Sequence, residues 1–119
     1  MPRTRIDRAE GSDAVRAVRA GNEDSDLVAL ATRYLLQCLA ESAPGRSVEL
    51  RVPPYGATQL AEGPGHTRGT PPNVIETDPL SWLALATGDL AWSSALRAGR
   101  VIASGTRADL TSLLPVAWE

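Results

Sequence analysis

The chain has 119 residues, a formal net charge of -2 at pH 7 and a single cysteine, Cys38. This length suits one domain with its own core, and a lone cysteine excludes an internal disulfide. The weak negative charge, without a basic run that carries aromatic residues, argues against nucleic-acid binding. Arg3, Arg5, Asp7 and Arg8 interrupt the N-terminal region, so we expect neither a leader nor stable membrane insertion, and hence a cytoplasmic protein.

A first helix is predicted near the N terminus. Ser12 can cap it, Val15 and Val18 belong to a narrow apolar stripe, and Gly21 stops it. We therefore interpret residues 1–24 as a helical extension and link that precede the core of the domain.

The second helix, residues 26–42, has the stronger pattern. Asp24 or Ser25 can cap it, and its apolar residues recur at the spacing of one buried face. Arg33 and Gln37 fall on the opposite face, which we expect to point outward. This helix begins the core, residues 25–114, and a tail of residues 115–119 follows the core.

Three strands are predicted next, at residues 47–53, 57–62 and 66–70. In the first strand apolar residues alternate with charged ones from Val48 to Val52, as expected of a half-buried antiparallel strand. Proline and glycine residues separate the strands, which favours a meander with tight turns.

A crossover and a central strand follow. Pro71 and Pro72 are typical of a stiff crossover. Residues 73–77 are too few for a helix, and Val74, Ile75 and Thr77 among them are β-branched, which favours a strand. Asp78 can cap the next helix, residues 79–87, whose almost wholly apolar surface must be covered on more than one side.

The last third of the chain contains three short elements. Residues 92–98 predict a helix that ends at Gly99, and residues 101–103 predict a strand. Thr106 or Asp109 can then cap a final short helix within residues 107–114.

A family resemblance emerges from these elements. Residues 76–105, ETDPLSWLALATGDLAWSSALRAGRVIASG, show an acidic residue, an apolar helix ending in a TG pair, a second short helix and a strand closed by glycine. This run resembles the closing half of the type-two sterol carrier protein domain, and residues 51–78 resemble its actinobacterial branch. The resemblance implies an α+β fold with a mixed, mainly antiparallel five-stranded sheet and helices on one face, in the order α-β(3)-crossover-β-α-β. It also implies an apolar tunnel for a fatty-acyl or sterol-like ligand.

The candidate ligand-binding residues come from this apolar surface. They are Leu80, Trp82, Leu83, Ala84, Val101, Leu110, Leu113 and Leu114, together with the polar residues His66 and Arg68. The Arg68 guanidinium can hold a carboxylate or phosphate near the tunnel mouth, or form an ion pair with Glu62 or Glu76. We expect a lipid-binding or lipid-transport domain without cofactor or metal.

Two other hypotheses remain open. The chain can be an accessory domain of a thiol-dependent isomerase-like system, or a weak enzyme that uses His66 and Glu76 as an acid-base pair. It can also be a homodimer whose apolar cleft is filled by residues 113–118, since an exposed Trp118 favours self-association.

Overall fold

The computed structural model describes residues 4–63 and 73–119. Within these ranges the chain forms four α-helices, four strands and one short 3-10 helix. The α-helices are α1 (Arg8–Arg19), α2 (Ser25–Ser42), α3 (Pro79–Thr87) and α4 (Trp92–Arg97); the strands are β1 (Val48–Val52), β2 (Gly56–Leu60), β3 (Asn73–Thr77) and β4 (Val101–Ser104); the 3-10 helix is Thr111–Leu113. The predicted α+β class is confirmed.

The sheet differs from the expectation of five mainly antiparallel strands. The described residues form four strands in the order β2-β1-β3-β4. The pair β1-β3 is parallel, whereas β1-β2 and β3-β4 are antiparallel, so the sheet is mixed. After β2, the chain places β3 on the other side of β1, and β3 runs in the same direction as β1. This parallel pair is why the sheet is mixed. The predicted strand at residues 66–70 lies outside the described residues.

One face of the sheet carries the core. Val48, Leu50 and Val52 alternate inward along β1, and Ile75 of the central strand β3 is fully buried with them. Helix α2 packs against β2, and α3 packs against α2. On the opposite face, Ile102 of β4 is 70% exposed. The period-two pattern therefore separates a helix-covered face from an open one.

The start of the first helix was predicted wrongly. Asp7, not Ser12, is the N-cap of α1, and its carboxylate accepts a hydrogen bond from the Ala9 amide at 3.2 Å. Ser12 lies one turn inside the helix, where its hydroxyl donates to the Arg8 carbonyl at 2.7 Å. Both residue types are good caps, and the helix takes the cap that gives it an additional turn. For α2, Asp24 is the N-cap.

The beginning and end of α3 confirm the local prediction. Asp78 accepts from the Ser81 amide at 3.0 Å, Pro79 occupies the first turn, and Gly88 ends the helix with a φ of 88°. This left-handed conformation is available to glycine at low steric cost.

The predicted helix at residues 107–114 is wrong in length and type. Only Thr111–Leu113 is helical, as a single 3-10 turn. Asp109 accepts from the Thr111 amide at 2.8 Å and from its hydroxyl, which closes a tight local turn. Such side-chain bonds compete with α-helical hydrogen bonding, which explains why the apolar spacing does not yield a longer helix here.

Candidate functional site

Four of the predicted ligand-binding residues are buried in the hydrophobic core, and together we call them the apolar layer. These are Trp82, Leu83, Val101 and Leu110, which belong to the same core cluster as the strand residues. Trp82 is fully buried, and its indole N–H donates to the Thr32 carbonyl of α2 at 3.2 Å. This bond fixes the distance between α2 and α3.

The other predicted residues lie elsewhere. Leu80 is 41% exposed and lines a small surface cleft with Tyr55, so the structure does not bring it into the buried layer. Ala84, Leu113 and Leu114 are half-buried, and the two leucines pack against the core. His66 and Arg68 lie outside the described residues.

Residues 115–119, which we call the C-terminal clasp, contact helices α2 and α3. The Val116 amide donates to the Ala86 carbonyl at 2.8 Å, and the Tyr34 hydroxyl donates to the Trp118 carbonyl at 2.7 Å. Trp118 is only 7% exposed, which corrects the expectation of an exposed tryptophan. The reason is that its ring has partners within its own chain.

Those partners come from α1. The guanidinium groups of Arg16 and Arg19 lie 5.8 and 5.9 Å from the Trp118 ring centroid, a distance suited to cation-π attraction. Arg8 donates to the Glu119 carbonyl at 2.9 Å. The clasp therefore joins the C terminus to the first helix.

The contact between α1 and α2 beneath the clasp is very close. A Cβ atom at Gly11 would overlap the aromatic ring of Tyr34, so only glycine permits this separation. Burial raises the pKa of the Tyr34 phenol, and the neighbouring Cys38 adds to this effect. Burial likewise raises the pKa of the Cys38 thiol, which favours the neutral form rather than a nucleophilic thiolate.

A cleft of about 650 Å³ lies on another side of α2. We call it the hairpin cleft, because the turn and second strand of the β1-β2 hairpin form one wall. Its described lining residues are Thr4, Arg5, Ile6, Arg33, Leu36, Gln37, Pro54, Tyr55, Gly56, Ala57 and Thr58. The N-terminal segment forms the opposite wall, and α2 forms the floor.

Specific contacts hold the N-terminal wall in place. The Ile6 amide donates to the Gln37 side chain at 2.8 Å, and the Gln37 side chain donates back to the Ile6 carbonyl at 2.9 Å. Arg5 donates two hydrogen bonds to the Glu41 carboxylate, at 2.7 and 3.0 Å. The sequence analysis missed this cleft because it placed Arg33 and Gln37 on an outward face. Their spacing of four residues on one helix was the available signal.

The hypothesis that His66 and Glu76 form an acid-base pair rests on the sequence alone. Glu76 is exposed on the open face of the sheet, and its proposed partner His66 lies outside the described residues. Within residues 4–63 and 73–119, no group of three or more His, Cys, Asp or Glu side chains could hold a metal ion. In the same ranges, none of the helices has the length and apolar character needed to cross a membrane.

Comparison with protein families shows a match over most of the chain. Residues 24–116 match the family described as bacterial SCP ortholog. The match covers the chain from α2 to Val116 and leaves α1 and residues 117–119 outside. None of the curated proteins compared with this chain matches it.

Proposed function

The chain belongs to the family of bacterial SCP orthologs, that is, sterol carrier protein-like domains, and we propose that it binds a fatty-acyl or sterol-like ligand without catalysing a reaction. The ligand would lie in the apolar layer. The observation that carries the proposal is that Leu83, Val101 and Leu110, which come from separate segments of the chain, are buried in one core cluster.

The energetics favour an apolar ligand in this position. Transfer of an acyl chain from water contributes about 0.8 kcal/mol per buried methylene, so few polar contacts are needed. Because Leu83, Val101 and Leu110 are buried, an acyl chain would have to separate α3 from the segment that follows β4. The bond between the Val116 amide and the Ala86 carbonyl is one contact that this movement would break.

The proposed lining consists of the residues named from the sequence. Trp82, Leu83, Val101 and Leu110 would contact the ligand directly, while Ala84, Leu113 and Leu114 at the margin would contact it as the segment moves. Leu80, His66 and Arg68 would serve the mouth of the site, where Arg68 can pair with an acidic head group. Carriage or presentation of a lipid in the cytoplasm would follow from such binding.

The first test is native mass spectrometry of gently purified protein, followed by organic extraction of anything released. We expect a bound fatty acid, acyl thioester or polycyclic lipid. Direct binding is then measured with a fluorescent fatty acid. An empty protein that also rejects such probes would contradict the proposal.

Matched variants locate the site. Leu83→Arg should weaken binding of the probe at least about tenfold, because a guanidinium would need to enter an apolar layer. Ile102→Arg, on the open face of the sheet, is the control and should bind like wild type. Circular dichroism verifies that each variant is folded, and Ala84→Trp provides a milder obstruction if Leu83→Arg is not. An effect of His66→Ala larger than that of Leu83→Arg would favour the enzymatic hypothesis instead.

A further inference from the structure

The hairpin cleft has the size of a small-molecule site and lies outside the proposed apolar layer. Its volume of about 650 Å³ falls within the range of about 300 to 1,000 Å³ that is usual for ligand pockets. Its walls come from three separate segments of the chain, and hydrogen bonds between Ile6 and Gln37 hold two of them together. Specific contacts of the fold therefore define the shape of the cleft.

The charged side chains among the described lining residues of the cleft are all positive. Among its described lining residues are two arginines, Arg5 and Arg33, and no carboxylate. Arg5 is engaged by Glu41 through both of its hydrogen bonds. Arg33 forms neither an ion pair nor a hydrogen bond with any residue in the described ranges. The cleft thus presents a guanidinium that can bind an anion in bidentate geometry.

The floor beside this guanidinium is apolar. Leu36 is buried in the main core, and Ile6 and Tyr55 pack against that core from the two walls. A Cβ atom built at Gly56 would lie 3.2 Å from Leu36 Cδ1 and 3.6 Å from Arg33 Cγ. The arginine stem therefore passes close to the hairpin. A ligand would meet apolar surface next to one positive group.

We propose that the hairpin cleft is a second binding site, which holds a fatty acid of medium chain length with its carboxylate on Arg33. The acyl chain lies over Leu36, Ile6 and Tyr55. Arg33 makes the site selective for the acid, because a neutral alcohol of the same length gains no ion pair from the guanidinium. This site is independent of the apolar layer.

The test compares decanoate with 1-decanol by isothermal titration calorimetry. Wild-type protein is expected to bind decanoate, and Arg33→Gln should bind it about tenfold more weakly, the effect of losing a charge-assisted pair at a partly exposed site. Affinity for 1-decanol should change less than twofold. Arg97→Gln, at an exposed position of α4, is the charge-matched control and should leave both affinities unchanged. Arg33→Lys should retain part of the affinity for decanoate.

Two results would overturn the inference: wild-type protein that does not bind decanoate, or Arg33→Gln that binds it as tightly as Arg97→Gln does. Leu83→Arg separates this inference from the proposed function, because it blocks only the apolar layer. Retained decanoate binding in folded Leu83→Arg supports the cleft as a separate site. Binding lost in Leu83→Arg but unchanged in Arg33→Gln would leave the proposed function standing and reject the cleft.

Discussion

Helix α2 has two very different neighbours. On one side Tyr34 is enclosed by α1 and the C-terminal clasp, with Gly11 against its ring and the Trp118 carbonyl on its hydroxyl. On the other side Arg33 faces a cleft of about 650 Å³. Arg33 and Tyr34 are consecutive residues of one helix. Whether each side of α2 is covered or open therefore depends on which distant segments of the chain pack against it.

The two sides also differ in how they relate to the family match. The match covers residues 24–116, so α1 and Trp118 both fall outside it. These outlying parts contact each other through Arg16 and Arg19, whose guanidinium groups lie 5.8 and 5.9 Å from the Trp118 ring centroid. The side of α2 that contacts α1 and the clasp therefore adds packing around the matched domain, whereas the floor and hairpin wall of the cleft belong to that domain. We expect the contacts with α1 and the clasp to contribute mainly to stability, and the hairpin cleft to contribute mainly to ligand binding.

The largest effect is expected from Trp118→Ala. Removing a large buried aromatic side chain usually costs about 3 to 5 kcal/mol, and we expect the lower end here, about 3 kcal/mol, because the ring lies near the surface. Urea unfolding monitored by circular dichroism measures the change. Trp118→Phe, which keeps an aromatic ring beside the two arginines, is the control and should lose less than half as much. A loss below about 1 kcal/mol for the alanine variant would mean that the clasp is not part of the stable core.

Glycine-to-alanine variants compare the two sides of α2 directly. Gly11→Ala should destabilise the protein by about 2 kcal/mol, because the overlap with the Tyr34 ring exceeds the gain of about 1 kcal/mol in helix propensity. Gly56→Ala should change stability by less than about 0.5 kcal/mol, since its Cβ meets the flexible end of Leu36. Thermal unfolding of both variants measures the contrast. Equal losses would show that the cleft side is packed as tightly as the clasped side.

Much of the fold could be predicted, because some helices and strands contain local sequence signals that define their type and their ends. Asp78 and Gly88 delimit α3, and the β-branched run of β3 leads to the fully buried Ile75. Errors arose where two neighbouring signals were equivalent, as for Asp7 and Ser12, or where side-chain bonds replaced a helix, as at Asp109. The parallel β1-β3 pairing depends on where a distant crossover returns the chain, and no local pattern encodes it.

The candidate sites were predictable to different degrees for the same reason. Trp82 and Leu83 follow from the apolar character of one helix, so their place in the core could be predicted. The hairpin cleft requires Ile6, Arg33 and Gly56 to meet from three segments. Side-chain periodicity assigns Arg33 to an outward face, and only the tertiary structure reveals that the hairpin and the N-terminal segment enclose it.

A smaller effect is expected at the start of α3, which borders the buried layer. Burial alone would raise the pKa of Asp78, but hydrogen bonds from the Ser81 hydroxyl and amide lower it below its ordinary value. Because the folded-state pKa is lowered, this stabilisation is fully present above the unfolded pKa of about 3.9 and is lost as the pH falls through the folded value. Asp78→Ala should cost about 1 kcal/mol at pH 7.

Asp78→Asn is the matched control, because the amide oxygen still accepts a hydrogen bond but does not titrate. It should retain most of the stability at pH 7 and lose less of it on acidification to about pH 2 than wild type does. Chemical unfolding at a series of pH values makes the comparison. If wild type and Asp78→Asn lost stability in parallel, titration of this cap would not contribute to the acid response.

The smallest effect concerns a defect in the otherwise well-packed contact of α2 with α3. Thr32 is fully buried, and its hydroxyl has no hydrogen-bond partner among the described residues, although its carbonyl accepts from Trp82. A buried polar atom without a partner costs free energy, and valine has nearly the same shape without the hydroxyl. Thr32→Val should therefore leave the free energy of unfolding unchanged or raise it by up to about 1 kcal/mol. Thr32→Ser, which keeps the hydroxyl and removes a methyl group, should lower it by about 1 kcal/mol. A clear loss of stability in Thr32→Val would contradict the view that this hydroxyl is an unsatisfied defect.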